Sequence, residues 1–104
     1  SYCFIGVRGE MIIGDNVIFG PRVTILSEQH NYSDPSKPIK AQGEKRYKTV
    51  IENNVWIGAG AIIMPGVTIK SGTVVGSGAV VTKDTEANSV VIGVPAKKIK
   101  SRYD

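Results

Sequence analysis

The only histidine of the chain, His30, lies in a stretch of unusual composition, SEQHNYSDPSKPIKAQGEKRY at residues 27–47. Histidine is the side chain whose ordinary pKa lies closest to neutrality, so it can accept or donate a proton at physiological pH. Transfer of a group to a hydroxyl requires a base of this kind. A lone loop histidine can also be an ordinary solvated residue, and these residues alone leave both interpretations open.

The second chemically distinctive set of residues is basic. The 104 residues include 13 Lys and Arg against 9 Asp and Glu, which gives a net charge of +4, and the basic side chains concentrate at 37–48 and 97–102. Such an excess attracts nucleic acid, anionic lipid or a phosphorylated small molecule. The aromatic residues do not alternate with the lysines, as a stacking surface for nucleic acid would require. We therefore expect no nucleic-acid partner.

Cysteine content and hydropathy bear on the compartment. The single cysteine, Cys3, cannot form an internal disulfide, which favours a reduced cytoplasmic protein over a reactive thiol. No apolar run approaches the roughly 18 residues of a membrane span, and no signal peptide is visible. The chain begins at Ser1 rather than at a methionine, which fits an N-terminally truncated chain.

An aliphatic residue recurs at every sixth position along most of the chain. The first position of each hexad from residue 51 onward is held by Ile51, Ile57, Ile63, Ile69, Val75 and Val81, and the earlier block keeps the same phase at Val7, Ile13, Phe19 and Ile25. The fourth position is usually Gly, Asn or Asp, and the fifth is small or β-branched. A helix does not generate this period, whereas a strand does if a turn recurs once per hexad.

Each hexad therefore predicts a short strand followed by a corner. Alternation places Val55 and Ile57 on the inner face and Trp56 on the outer face, while Gly, Asn and Asp tolerate the left-handed backbone of a tight corner. Strands this short cannot fold alone and must stack coil on coil as a β-solenoid. An exposed Trp56 is either the wall of a ligand site or a surface for subunit packing.

The stretch around the histidine interrupts this repeat. Ile25 and Ile51 are 26 residues apart, which is not a multiple of six, so the chain leaves the coil near a corner and rejoins it by about Thr49. Two prolines and Gly43 argue against a regular helix or strand within the insertion. A long loop inside a compact repeat is usually functional or disordered.

The repeat is expected to stop near Pro95, which cannot donate to a ladder and restricts Val94. The sequence AKKIKSRY that follows predicts a short helix or a tail that covers the end of the solenoid. The chain is thus predicted to be one all-β domain over 1–104, with a first repeat block at 7–26, an inserted loop at 27–48, a second block at 49–94 and a basic tail at 95–104.

These hexads resemble those of the hexapeptide-repeat acyltransferases over about residues 7–104. The VTKD corner followed by GVPAK is similar to the branch that acetylates xenobiotics, galactosides, maltose and other sugars. The resemblance implies a left-handed parallel β-helix with three hexads per coil, although general connection rules favour a right-handed crossover. It also implies acetyl-CoA as the co-substrate, no metal, and a homotrimer with active sites between neighbouring chains.

The matching motifs also imply which residues bind the cofactor. They place two residues at the pantetheine arm and four near the adenosine phosphates, namely Ala59 and Ser77, then Thr82, Lys83, Lys97 and Lys100. The family often has Arg where this chain has Lys97 and Lys100, and lysine keeps the charge but loses the bidentate geometry. Ala59, where relatives often have Ser, offers only its backbone N–H.

In the family the catalytic histidine begins a loop that leaves the coil ahead of a DP…PI-like stretch, and His30 matches that place. The implied mechanism is direct transfer in a ternary complex. His30 deprotonates the acceptor hydroxyl, the oxygen attacks the thioester carbonyl, and the Ala59 N–H stabilises the oxyanion. Cys3 is not expected to carry the acyl group, since it has no partner base nearby in sequence.

Two other classes of protein use the same type of coil. A hydratase resembling γ-type carbonic anhydrase needs several histidines around zinc, and this chain has one. A non-catalytic structural or assembly solenoid would need neither the loop histidine nor the terminal basic cluster. For the enzyme, a sugar or sugar-like hydroxyl is the leading acceptor, with an antibiotic or serine as alternatives.

Overall fold

The computed structural model describes residues 9–104 in full and residues 3–5 as backbone. Within them the strands are β1 Cys3–Ile5, β2 Glu10–Ile13, β3 Ile18–Phe19, β4 Val23–Ile25, β5 Glu28–His30, β6 Glu44–Arg46, β7 Lys48–Ile51, β8 Trp56–Ile57, β9 Ile62–Ile63, β10 Thr68–Ile69, β11 Val74–Val75, β12 Val80–Val81, β13 Ser89–Gly93 and β14 Ala96–Ser101, with a 3₁₀ helix η1 at Ile39–Ala41. Among the described residues no helix has the length and hydropathy of a membrane span.

Three largely parallel sheets form the sides of a β-helix. Face A contains β1, β4, β9 and β12, face B contains β2, β7 and β10, and face C contains β3, β8, β11, β13 and β14. Along the chain the strands visit faces B, C and A in turn, so three strands complete one coil. The structure thus confirms the all-β fold and the stacked short strands that the hexads predict.

The register between coils confirms three hexads per turn. Ile51 pairs with Ile69 on face B, Ile57 with Val75 on face C, and Ile63 with Val81 on face A, each eighteen residues apart. All six of these first-position side chains are buried. The fifth positions are also buried, at Val55, Ala61, Val67, Thr73, Ala79 and Thr85. Trp56 points outward with 55% of its surface exposed, as alternation predicts.

The corners adopt left-handed backbone at the fourth hexad position. Asn54 (φ 58°) and Gly60 (φ 70°) follow the expected chemistry, since both residue types tolerate positive φ. Arg22 (φ 58°) occupies the equivalent position, where a residue with a long side chain is uncommon. The position in the coil therefore sets the backbone here, and residue preference gives way to it.

The first coil departs from the predicted phase. Ile5 pairs with Ile25 across face A, twenty residues apart rather than eighteen, so this coil holds two extra residues. The predicted start of the repeat at Val7 lies outside the described residues. Ile13 pairs with Ile51, which is also a first hexad position. Its side chain is nevertheless 38% exposed, because β2 is the terminal strand of face B among the described residues.

The insertion contains more regular structure than its prolines suggest. Its two ends, β5 and β6, pair antiparallel as a short ribbon, with Glu28 opposite Arg46 and His30 opposite Glu44. The expectation that no strand forms here was therefore wrong for the ends of the loop. The breakers lie between the two strands, where they shape the tip and leave the ladder at its base intact.

The C-terminal segment also differs from the prediction. It is neither a helix nor a free tail, because β14 turns back after Pro95 and pairs antiparallel with β13, with Gly93 opposite Ala96. The parallel coil does end near Pro95, as expected. The open edge of β13 offers backbone hydrogen-bond donors and acceptors. The segment pairs with them as a strand, which a helix could not do.

The last turn on face B is completed by side chains. The Thr68 N–H donates to Asp84 Oδ1 at 2.8 Å, and the Lys70 N–H donates to Thr85 Oγ1 at 3.0 Å. The Thr85 N–H in turn donates to the Thr68 carbonyl at 3.1 Å. These bonds satisfy the edge of β10 without another strand.

Candidate functional site

Equivalent corners of successive coils stack into edges, and two of these edges carry the predicted site residues. We call the corners at 26–27, 64–66 and 82–84 the loop edge, because the insertion leaves from it. These corners are stacked by hydrogen bonds from the Leu26 N–H to the Ile63 carbonyl and from the Met64 N–H to the Val81 carbonyl.

We call the corners at 20–22, 58–60 and 76–78 the glycine edge. They are stacked by hydrogen bonds from the Gly60 N–H to the Pro21 carbonyl and from the Gly78 N–H to the Ala59 carbonyl. Face A separates the two edges.

His30 faces a cavity of about 590 Å³ where the loop folds against the loop edge. The cavity is lined by Leu26, Glu28, Gln29, His30, Tyr32, Ile39, Met64 and Pro65. The described part of the wall is mostly apolar, and it also contains the imidazole of His30 and the carboxylate of Glu28. The basic residues of the loop do not line it in the single chain.

A hydrogen-bonded turn holds the tip of the loop. The Gln42 amide donates to the carbonyls of Asp34 and Lys37 at 3.0 and 2.8 Å, and its oxygen accepts from the Asp34 N–H at 3.1 Å. Asp34 accepts from the Ser36 hydroxyl and N–H, and these bonds lower the pKa of its carboxyl. The loop is thus built as a defined structure, and the Asp-Pro-Ser turn in the sequence was the signal for it.

Glu28 is a site residue that the sequence did not reveal. Its Oε2 is buried, and within the described part of the chain that atom has no hydrogen-bond partner. Glu28 and His30 are two residues apart on β5, so both side chains leave the same side of the ribbon. A carboxylate and an imidazole are therefore presented to one cavity.

A second cavity, of about 410 Å³, lies at the C-terminal end of the loop edge. Thr82, Lys83 and Lys97 line it, as does Lys98, which the sequence did not single out. Lys98 also contacts Glu86, with 3.4 Å between Nζ and Oε2. Lys100 lies further along β14, opposite Val90, and is not part of the lining. The structure thus brings three of the four predicted phosphate-end residues together.

Ala59 and Ser77 are neighbours on the glycine edge. Within the described residues neither N–H has an acceptor in the chain, so both can donate to a bound molecule. The corner beside them needs glycine, because a Cβ at Gly58 would lie 2.7 Å from the Ser77 nitrogen and 2.9 Å from the Val75 oxygen. Such contacts with rigid backbone leave no room for a side chain. This edge therefore presents bare backbone donors.

Trp56 lies on face C, away from the histidine cavity. With Ile18 and Val74 on neighbouring strands it forms an apolar patch that borders a hollow of about 370 Å³ reached by Arg102. One protomer therefore does not join Trp56 or Ala59 to His30. The predicted site residues divide between the loop edge, the glycine edge and face C.

The family model described as "Bacterial transferase hexapeptide (six repeats)" matches residues 48–83. The chain is 44% identical over 86 residues to a galactoside O-acetyltransferase of Lactococcus lactis, covering 83% of this chain and 41% of that protein. It is 51% identical over 111 residues to a chloramphenicol acetyltransferase of Morganella morganii, covering 99% of this chain and 50% of that protein. The chain thus spans about half the length of these relatives.

The fold also has close structural relatives. A galactoside acetyltransferase solved in complex with coenzyme A superimposes with a TM-score of 0.86 at 38% sequence identity, covering 95% of this chain and 48% of that chain. The architecture is accordingly the left-handed parallel β-helix of hexapeptide repeats that the family resemblance implies.

Proposed function

The chain belongs to the bacterial hexapeptide-repeat transferases, and we propose that it transfers acetyl groups from acetyl-CoA to a hydroxyl of a sugar or sugar-like acceptor. One observation carries the proposal. The histidine cavity and the lysine-lined cavity lie along the same edge of the coil, since Met64 and Pro65 of the first stack directly beneath Thr82 and Lys83 of the second. A base and an anion-binding pocket are thus aligned for a long phosphorylated thioester.

The roles follow from the chemistry of each group. His30 takes the proton of the acceptor hydroxyl as that oxygen attacks the thioester carbonyl. The tetrahedral intermediate collapses, the carbon–sulfur bond breaks, and the proton held by His30 goes to the leaving CoA thiolate. Lys83 and Lys97 attract the phosphates of the cofactor electrostatically. No covalent acyl-enzyme is formed.

The oxyanion donor comes from a second protomer. In one chain the free N–H of Ala59 lies on the glycine edge, across face A from His30, so a single protomer cannot offer both groups to one thioester. A neighbour that places its glycine edge beside the loop edge completes the site. In a homotrimer with closed three-fold symmetry, each pair of neighbouring chains forms one such site. The exposed patch around Trp56 offers apolar area for subunit packing.

Mixing two inactive variants tests this shared site. His30→Ala removes the base, and Ser77→Trp blocks the glycine edge. Because Ser77 is exposed, the larger side chain does not crowd the core. If sites form between chains, hybrids assembled from equal amounts should recover about a quarter of wild-type activity. A preparation that is active and has the light-scattering mass of a monomer, or hybrids that stay inactive, would contradict it.

The proposed activity is tested by thiol release from acetyl-CoA in the presence of candidate acceptors. We expect release to depend on a neutral sugar such as a methyl galactoside, with the acetylated sugar identified by mass spectrometry. Calorimetry with acetyl-CoA separates the enzyme from a structural solenoid, because the scaffold would bind none. Absence of both binding and release for every acceptor would sink the proposal.

A second acceptor class is supported by the relatives. The likeness to chloramphenicol acetyltransferases extends over 99% of the chain, and the apolar lining by Tyr32, Ile39 and Met64 suits an aromatic antibiotic as well as a sugar. Chloramphenicol in the same thiol-release assay separates the two, since turnover of it in preference to sugars would assign the chain to antibiotic acetylation.

A further inference from the structure

We propose that the Glu28 carboxylate recognises the acceptor and restricts it to a neutral molecule with several hydroxyl groups, such as an uncharged sugar. The inference rests on the proposed acetyl transfer at His30. It adds the charge and the hydrogen-bonding character of the substrate.

The first support is the state of the carboxylate. Glu28 Oε2 is buried and, within the described part of the chain, accepts no hydrogen bond. Buried polar atoms in folded proteins are almost always hydrogen-bonded, because a lost bond with water is otherwise not replaced. The residue opposite it in the ribbon, Arg46, is exposed and makes no ion pair with it among the described residues. This unmet hydrogen-bonding capacity favours a donor from a molecule bound in the cavity that Glu28 lines.

The second support is the position of the Glu28 side chain. Glu28 lines the same cavity as His30, on the same side of the same strand. A hydroxyl bound to Glu28 therefore belongs to a molecule whose neighbouring hydroxyl can reach His30. A polyol provides both groups, one for recognition and one for reaction.

The third support is the charge of the lining. The described residues of the cavity wall include no lysine or arginine, and five apolar or aromatic side chains accompany Glu28 and His30. An acidic acceptor would bring its charge towards Glu28 with no lysine or arginine in the described wall to offset it, in a partly desolvated site. A sugar ring without charge can pack its carbon face on Tyr32 and Ile39 and donate a hydroxyl to the carboxylate.

The experiment compares neutral sugars with the matching uronic acids, galactose with galacturonate and glucose with glucuronate, in wild-type protein and in Glu28→Gln. A hydrogen bond to a charged group strengthens binding about tenfold to a hundredfold, so Glu28→Gln should raise the KM for the neutral sugar by about that factor. The kcat and the KM for acetyl-CoA should stay close to wild type, and the preference for the neutral sugar over its uronate should fall. Glu10→Gln makes the same change on the exposed outer side of face B and should alter none of these values.

Three outcomes would overturn the proposal. One is an unchanged acceptor KM and unchanged sugar preference in Glu28→Gln. Another is a wild-type preference for uronates. The third is turnover of chloramphenicol with no turnover of sugars, which leaves acetyl transfer intact and removes only the polyol. If wild-type protein acetylates no hydroxyl at all, the proposed function itself fails, and that result is distinct from the other three. A purely structural role for Glu28 would lower stability and affect both substrates alike.

Discussion

Replacement of His30 by alanine is expected to lower kcat about 10²- to 10⁴-fold, the range over which general bases contribute. Acetyl-CoA binding should persist, because the lysine-lined cavity at 82–83 and 97–98 is separate from the histidine cavity. The measurements are thiol release for turnover and calorimetry for binding of the cofactor. No other side chain of the cavity wall has an ordinary pKa near neutrality, so no neighbour replaces the base.

Arg46→Ala is the matched control for this variant. Arg46 lies on the same ribbon, is exposed, and does not line the cavity, so its removal should leave kcat within about threefold of wild type. Activity near the wild-type level in His30→Ala, with any acceptor that the protein uses, would show that the base assignment is wrong. Equal losses in both variants would point to a disturbed loop and not to lost chemistry.

The second large effect concerns the core. Ile63→Ala removes a fully buried side chain from the middle coil, between Ile25 and Val81 on face A. A buried isoleucine truncated to alanine usually costs about 2–5 kcal/mol of unfolding free energy, since the cavity left behind adds to the lost burial. Because each coil contacts only its neighbours, this loss weakens the stacking both above and below.

Ile62→Ala is a strict control, because Ile62 is the adjacent residue of the same type on the same strand and points to the outer side. It should cost less than about 1 kcal/mol. Urea unfolding followed by circular dichroism gives both free energies. Similar values for the two variants would mean that the inward and outward assignment of the hexad is wrong.

The repeat was predictable from the sequence because its cause is local. A residue such as Ile63 is buried because the first position of every hexad points inward. The corners need only a residue such as Asn54 that tolerates positive φ. The location of His30 was equally readable, since an insertion shows itself as a loss of phase. These features depend on residues close in sequence.

The remaining features depend on partners distant in sequence. Glu28 lines one cavity with Met64 and Pro65, which lie on the next coil, and no local sequence pattern indicates that they come together. The strand at Ala96–Ser101 forms because β13 leaves an edge open, although the lysines of this segment are typical of a solvated tail. The positive φ of Arg22 likewise follows from the coils stacked on it and contradicts the preference of the residue.

The eighteen-residue register has a consequence for how such a chain can change length. Deletion or insertion of a single hexad would shift every later strand by one face of the β-helix. The corner with Thr82 and Lys83 would then no longer lie on the edge that carries His30. A complete coil can be added or removed without this rotation, and only the spacing between the two cavities changes. The smallest change in length that keeps the two cavities on one edge is therefore three hexads, or one complete coil.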